Sequence, residues 1–310
     1  MKTRIVYDDP QATRTSPAAP HPGPAGDDAG PDAPRRGAAI LEPVRRHPIL
    51  TFFVLAYVLA WGAIPWNSFA AFSPLISALV VVSITEGRPG LRRLGARIVR
   101  WRVAWWWYAV AIAVPVGMQL SAVGANVVTG AGAPSWTQIT SWYSVFAVFG
   151  LSMVNPTGGP LGEEPGWRGF AQTRLQGRHS PLVATGILGL IVATWHLPLM
   201  FMPAFDLGPI DWTTTVAVTF WYAWLYNRTG GSVLLTLVAH SAESVLNTSE
   251  LWTGADATRL PGIQAVAWWV FVLALLVLDR AAWRTAPASA VELPPDELRP
   301  RGAEPAAAAT

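Results

Sequence analysis

The sequence "VAWWWYAVAIAVPVGMQL", residues 103–120, opens a run without Asp, Glu, Lys or Arg that extends to residue 162. A membrane-spanning helix needs about 20 consecutive apolar residues, so this run can hold two spans and a connector. Further uncharged stretches occupy residues 48–85, 180–205, 212–227, 229–242 and 260–278. Because alternating strand patterns do not occur in these stretches, the sequence predicts an all-α, polytopic membrane helix bundle.

Eight transmembrane helices are expected, which together form one membrane-embedded domain over residues 47–283. They lie at about residues 48–65, 69–86, 103–126, 142–161, 183–203, 210–227, 230–248 and 263–283. The flanking residues 1–46 and 284–310 are rich in Pro, Ala, Gly and charged residues without apolar periodicity, which predicts disordered tails.

The basic residues indicate how this bundle is oriented. If the N-terminus is cytoplasmic, all 22 Lys and Arg residues except Arg259 fall in cytoplasmic segments. This partition predicts a multi-pass protein of the plasma membrane with both termini in the cytoplasm, and the excess of Arg over Lys favours a bacterial source. The basic segment 90–102 is expected to lie along the cytoplasmic surface. Since basic clusters between apolar runs are typical of membrane proteins, no nucleic-acid partner is expected.

Few ionisable side chains remain within the membrane block, and they lie on three separate segments. The segments are "EEPGWRGF" (163–170) with Glu163, Glu164 and Arg168, "VATWHLPL" (192–199) with His196, and "AHSAESVLN" (239–247) with His240. An ionisable side chain at mid-span costs about 2.5–3.5 kcal/mol on insertion scales, so such residues usually mark a functional site. Glu164 and Arg168 are four residues apart and can pair on one helical face, which predicts a supporting role for both.

These three motifs, in this order, resemble those of the CPBP family, the intramembrane proteases related to type II CAAX prenyl endopeptidases and bacteriocin-immunity (Abi) proteins. The resemblance implies that Glu163 is the catalytic glutamate and that His196 helps it to hold and polarise a water. It also implies that His240 donates a hydrogen bond to the oxyanion. The family usually has Asn four residues after this His. Here Ser244 takes that position and Asn247 follows one turn later, so either residue could assist His240.

The resemblance covers about residues 140–250 and implies an intramembrane endopeptidase acting on a membrane-associated, CAAX-type protein or peptide substrate. Membrane lipid and this substrate are the expected partners. The mechanism stays open, because Glu163, His196 and His240 could bind zinc, as in a metalloprotease, or could activate water without a metal. Ser244 in place of Asn favours an alternative, a non-catalytic membrane partner or immunity protein that retains the fold. A proton-coupled transporter is a third hypothesis.

The location of the motifs along their helices raises a geometric question. Glu163 would lie near the cytoplasmic end of its helix, whereas His196 would lie well inside the membrane. They meet only if the chain turns back into the bilayer, and Gly158–Gly159 and Pro165–Gly166 make such a break plausible. The resulting cavity is expected to open to the cytoplasm. Glu243 is expected near the outer membrane interface, outside the site.

Overall fold

The fold is all-helical, as the sequence predicts. The computed structural model describes residues 36–137, 143–202, 205, 207–245 and 248–292, and within these ranges every regular element is a helix. The helices are α1 (Arg36–Arg46), α2 (Pro48–Gly62), α3 (Ser73–Thr85), α4 (Gly87–Ile98), α5 (Trp106–Val128), α6 (Ser144–Val154), α7 (Pro160–Glu164), a π-helical stretch (Pro165–Gln172), α8 (Thr173–Gln176), α9 (Pro181–Trp195), α10 (Pro209–Arg228), α11 (Val233–Glu243), α12 (Ala255–Leu278) and α13 (Arg280–Arg284). Short 3-10 turns lie at Ile64–Trp66, Leu197–Phe201, Thr248–Leu251 and Ala288–Ala290.

Helix length limits how many of these elements can cross a membrane. Four are long and apolar enough: Pro48–Trp66, Trp106–Val128, Pro181–Phe201 and Ala255–Leu278. Three further apolar helices, α3, α6 and α11, are shorter than the span of about 20 residues that a bilayer requires. The chain is therefore an integral membrane protein in which all eight predicted segments contain a helix, but eight full spans are not confirmed.

Both predicted tails overlap with ordered structure. α1 lies within the predicted N-terminal tail, and its Val44 packs against the core cluster that contains Phe52. At the other end, residues 284–292 are ordered, and Ala290 is fully buried. Composition misses these segments because a few apolar contacts are enough to dock a short piece of chain on a bundle that is already formed. Residues 1–35 and 293–310 lie outside the described residues, so the tail prediction stays untested there.

The predicted continuous helix over residues 142–161 is wrong, because the chain breaks in its second half. α6 ends at Val154, and Gly159 has a φ of 59°, a left-handed conformation that a residue without Cβ adopts readily. Helix resumes at Pro160 and continues to Gln176. We call this unit, α7 with the π-helical stretch and α8, the motif helix. Pro165 has no N–H to donate to the preceding turn, which explains why the helix widens at that point.

The motif helix is buried almost throughout its length, although the sequence predicts that the arginines it carries lie in a cytoplasmic segment. It packs against α3 at very short range. A Cβ on Gly162 would lie 2.8 Å from the carbonyl oxygen of Ala71, and one on Gly166 would lie 2.5 Å from that of Pro74. Glycine at these positions allows the two backbones to touch, and this contact holds the motif helix inside the bundle.

The far end of the motif helix meets a cluster of charges beside α4, a helix that overlaps the basic segment predicted at 90–102. Arg174 pairs with Glu86, and Glu292 accepts hydrogen bonds from Arg97 at 2.8 Å and from Arg93 at 3.1 Å. Burial alone would raise the pKa of the Glu292 carboxyl. Arg174 and Arg97 outweigh that effect and hold the pKa below its usual value. Residues just after α13 are thereby attached to α4 and to the motif helix.

Replacing Gly166 by Ala is expected to lower the free energy of unfolding by about 1–3 kcal/mol, because the added methyl group collides with the Pro74 backbone. Gly186→Ala is the matched control, since a Cβ there meets nothing within 4 Å. It should leave stability unchanged or raised by a few tenths of a kcal/mol. Thermal unfolding of the purified proteins in detergent measures both. Equal midpoints for the two variants would contradict the close packing described.

Replacing Glu292 by Gln is expected to destabilise the fold at pH 7 by about 1–3 kcal/mol, because charged hydrogen bonds to two arginines are lost. A lowered pKa stabilises the fold while the carboxyl is ionised. The stabilisation is present above the usual value of 4.5 and is lost as the pH falls through the folded-state pKa. The difference between wild type and Glu292→Gln should therefore shrink below pH 4.5 in unfolding scans.

Glu42→Gln serves as the control for this titration, because Glu42 pairs with Arg46 on an exposed surface. Exposed pairs contribute little to stability, so this change should be near neutral at all pH values. A Glu292→Gln midpoint that coincides with wild type at pH 7 would show that the charge cluster does not hold the C-terminal segment.

Candidate active site

A cavity of about 370 Å³ lies where the motif helix begins. Its ionisable and phenolic lining residues are Glu163, Glu164, Arg168, His196, Asp211, Tyr222, His240 and Glu243. Gln119 of α5 and Gln264 of α12 also line it. The three motifs are far apart in the sequence, and the fold brings the ionisable side chains of all three into this one cavity.

Glu163 and His196 face each other across the cavity from the ends of two helices. Glu163 lies in the first turn of α7, and His196 directly follows the last residue of α9. The His196 Nδ1 atom is 2.9 Å from the carbonyl oxygen of Val192. Since a carbonyl only accepts, Nδ1 carries the proton and Nε2 points to the carboxylate. Nε2 lies 4.0 Å from Oε2 of Glu163, a spacing at which both atoms can hydrogen-bond to one shared oxygen atom.

Glu164, the neighbouring carboxylate, points the other way and is paired on two sides. Its Oε1 atom accepts a hydrogen bond from Nδ1 of His240 at 3.0 Å. Its Oε2 atom lies 3.4 Å from Nε of Arg168, one helical turn later. The side chains of Glu164 and Arg168 are only 1% and 2% exposed. The pairing of Glu164 with Arg168 that their spacing predicts is therefore present, and His240 completes it.

The break before the motif helix keeps the space between Glu163 and His240 open. A Cβ on Gly159 would lie 3.7 Å from Oε1 of Glu163 and 3.8 Å from Nε2 of His240. Both atoms therefore border the same small region. Because Nδ1 of His240 is hydrogen-bonded to Glu164, the Nε2 atom is the ring nitrogen that faces the cavity beside Glu163.

Three residues that the sequence interpretation does not place in the site contribute to it. The ring of Tyr222 stacks on the ring of His240, with centroids 5.4 Å apart, and the Arg168 guanidinium lies 5.0 Å from the Tyr222 centroid. The Tyr222 hydroxyl donates to the Glu243 carboxylate, and the Gln119 side-chain amide donates to the Glu243 carbonyl oxygen. The expectation that Glu243 lies outside the site is therefore wrong.

Part of this arrangement has a signal in the sequence. Glu243 follows His240 by three residues, so the two side chains share a helical face. Gln119 is one of few amide side chains in the uncharged run. Tyr222 is one of many aromatic residues in the membrane block, and nothing in the sequence distinguishes it.

Two residues, Ser244 and Asn247, were considered as helpers of His240, and the structure describes only the first. Ser244 lines the cavity, but its hydroxyl donates to the backbone carbonyl of His240 at 3.0 Å and makes no described hydrogen bond to the ring. Asn247 lies outside the described residues. The described contacts of the His240 ring come instead from Glu164 and Tyr222.

The side chains of the site do not form a zinc-ligand set. In the part of the chain that the structure describes, no group of three or more His, Asp or Glu side chains is arranged to hold a metal ion. A catalytic zinc site needs three protein ligands at about 2.0–2.2 Å from a common point.

Comparison with known proteins gives a match over the same region. Residues 141–246 match the family model described as type II CAAX prenyl endopeptidase Rce1-like. The matched residues include α6, the motif helix and α9 to α11, which carry every motif residue of the site. No curated protein matches the chain. The match supports the CPBP/CAAX protease assignment that the motifs imply.

Replacing Arg168 by Met is expected to lower the free energy of unfolding by about 3–5 kcal/mol, because it leaves the buried Glu164 charge without its cation. The double variant Glu164→Gln/Arg168→Met removes both charges, so its loss of unfolding free energy should be smaller than the sum of the losses in Glu164→Gln and in Arg168→Met. Chemical unfolding of the three variants in detergent measures these losses. Additive losses would contradict a buried pair.

Arg228→Met is the matched control for this cycle. Arg228 pairs with Asp279 at the end of α10, where its side chain is 44% exposed. Losing an exposed pair costs about 0–1 kcal/mol, well below the loss expected at Arg168.

Proposed function

We propose, from the assignment of residues 141–246 to the type II CAAX prenyl endopeptidase Rce1-like family, that this protein is an intramembrane endopeptidase that cuts a membrane-associated polypeptide. The observation that carries the proposal is the 4.0 Å separation of Glu163 and His196 inside a cavity of a membrane-embedded bundle. A carboxylate and an imidazole at this spacing can hold one water between them. Peptide hydrolysis needs such a water together with a base and an oxyanion donor.

Glu163 is the general base in this mechanism. The water donates one hydrogen bond to Oε2 of Glu163 and the other to Nε2 of His196, which leaves a lone pair free to attack. The water oxygen bonds to the substrate carbonyl carbon while Glu163 takes the proton. Glu163 then returns this proton to the amine as the carbon–nitrogen bond breaks. His196 is prepared for its role by the Val192 carbonyl, which fixes the proton on Nδ1.

His240 stabilises the negative charge that develops on the carbonyl oxygen. Its Nδ1–H group is held by the Glu164 carboxylate, and in the imidazolium form of the ring Nε2 also carries a proton. The Nε2–H group then donates to the oxyanion beside Gly159. Stacking on Tyr222 fixes the plane of the ring, so the donor is oriented before the substrate arrives. Glu164, Arg168 and Tyr222 act as positioning residues.

The family is named for a prenylated CAAX sequence. The assay therefore includes peptides of this class. A quenched-fluorescent library of membrane-anchored peptides tests the proposal, with members that carry a farnesylated CAAX terminus and members that carry none. The purified protein is reconstituted in vesicles, and cleavage of each member is followed over time.

Glu163→Gln is expected to lower the cleavage rate by at least about 100-fold, because general-base catalysis contributes about 10²–10⁴-fold. Glu42→Gln is the matched control, since Glu42 is an acid on the exposed surface of α1 and should retain full activity. Undiminished turnover in Glu163→Gln would contradict the assignment of Glu163 as the general base. Absence of cleavage of every member by wild type would favour the non-catalytic alternative.

A chelator and a metal analysis distinguish carboxylate catalysis from zinc catalysis. We expect wild-type cleavage to persist after treatment with 1,10-phenanthroline. Stoichiometric zinc in the purified protein, combined with loss of activity on chelation, would show that the carboxylate mechanism is wrong.

A further inference from the structure

The arginines of α4 lie on two different faces of this helix. Arg93 and Arg97 are four residues apart, and both donate hydrogen bonds to Glu292 on the face that packs against the bundle. Arg88 and Arg92 have the same spacing. Because an α-helix has 3.6 residues per turn, this second pair points away from the first, and both of its side chains are exposed. We call Arg88 and Arg92 the outer arginine pair.

No carboxylate of the described residues neutralises the outer arginine pair. Glu86, which directly precedes α4, pairs with Arg93 at 2.6 Å and with Arg174 of the motif helix. Glu292 is held by the arginines of the inner face. Among the described residues, none forms a hydrogen bond or ion pair with either side chain of the outer arginine pair. Two positive charges therefore face the surroundings of the bundle without a counter-charge.

The outer arginine pair borders a cleft that is not wholly polar. The cleft has a volume of about 550 Å³ and is lined by Arg88, Leu91 and Arg92. Leu91 is half-buried and packs against the core cluster that contains Phe52. Two guanidinium groups beside an apolar side chain fit an amphiphilic ligand, because an anionic group and the hydrocarbon next to it can both be accommodated.

The residues that follow α4 place this cleft at the level of lipid headgroups. Trp101 is 61% exposed and Trp105 is 79% exposed, and both lie just before α5. α5 is long and apolar enough to cross a membrane. Exposed tryptophans at the end of a span are typical of the membrane–water interface. α4 therefore lies where lipid phosphates can reach its outer face.

We infer that the outer arginine pair binds the phosphate of an anionic phospholipid. The planar guanidinium group presents two parallel N–H donors, which match two oxygen atoms of a phosphate. A zwitterionic lipid also carries a phosphate, but its own ammonium group neutralises the charge. An uncompensated pair of arginines therefore selects a lipid with a net negative charge.

The inner face of α4 connects this lipid site to the motif helix. Arg97 donates a hydrogen bond to the carbonyl oxygen of Gly169 at 3.3 Å. A Cβ on Gly169 would lie 2.7 Å from Cδ1 of Leu94, so the two helices are in close contact. A lipid on the outer face of α4 binds the packed form of this helix, and a ligand that binds the folded state raises its stability.

A titration of the full-length protein with short-chain lipids tests the site. The protein is purified in a neutral detergent and titrated with phosphatidylglycerol, with phosphatidylcholine of the same chain length, or with inorganic phosphate. Native mass spectrometry gives the affinity for each lipid, and thermal unfolding gives the midpoint in the presence of each of the three probes. We expect phosphatidylglycerol to bind about 10–30-fold more tightly than phosphatidylcholine and to raise the midpoint.

Arg88→Gln/Arg92→Gln is expected to remove the preference for phosphatidylglycerol. Neither side chain has a described partner, so this variant should unfold at the wild-type midpoint when no lipid is added. Arg280→Gln/Arg284→Gln is the matched control, because it removes the same charge at the same spacing from α13. Asp279 directly precedes that pair and supplies a nearby negative charge, so the control should retain the preference.

Three results would overturn the lipid site. They are equal affinity of wild type for the two lipids, an unchanged preference in Arg88→Gln/Arg92→Gln, and an equal loss of preference in Arg280→Gln/Arg284→Gln. The last result would show diffuse attraction to the net charge of the protein. A midpoint raised equally by inorganic phosphate would show that the cleft binds free phosphate and would overturn the lipid assignment. None of these measurements involves peptide cleavage, so they remain decisive whether or not the proposed function holds.

Discussion

The buried charge of Glu164 is the constraint on which the site depends. An ionised carboxylate away from water is tolerated only when cations and donors surround it, and here Arg168 and His240 take those positions. Arg168 in turn lies against the ring of Tyr222. These contacts connect the motif helix to α10 and α11. The motif helix cannot slide along its axis without separating Glu164 from His240 and Arg168 from Tyr222, so these contacts fix the register on which Glu163 depends.

Backbone shape makes this pairing possible. Gly162 and Gly166 let the motif helix lie directly against the start of α3, and the left-handed conformation of Gly159 lets the chain re-enter the bundle. Any side chain at Gly159 would also project between Glu163 and His240. The glycines therefore serve two purposes. They allow the motif helix to enter the bundle, and they leave the space between Glu163 and His240 free of a side chain.

Much of this architecture could be predicted from the sequence, because a hydrocarbon solvent leaves a chain few options. Backbone groups must bond within the segment, so long uncharged runs become helices. Charged residues that interrupt such runs need partners, which singled out Glu163, Glu164 and Arg168 together with the two histidines. The helical character of the fold and the pairing of Glu164 with Arg168 followed from these rules alone.

The rest depends on distances between segments, which no local pattern contains. Hydropathy did not show that residues 160–176 pass through the interior, since it treats Arg168 and Arg174 as residues of a cytoplasmic segment. Composition placed Glu292 in a tail, although three arginines on two other helices bind it. Glu243 was expected outside the site because nothing in the sequence identifies Tyr222 as its partner. Each error concerns a polar group whose partner comes from another part of the chain.

The short helices have a common physical explanation. α7 begins, α9 ends and α11 ends around the cavity, and Glu163, His196 and Glu243 lie at or next to these termini. A helix terminus exposes backbone groups without helical partners, which lipid does not tolerate but a polar cavity does. The place where helices can stop is therefore also the place where water and a substrate backbone can be bound. A count based on spans of full length undercounts the membrane elements of such a protein, because α7 and α11, which are too short to cross, contribute their ends to the site.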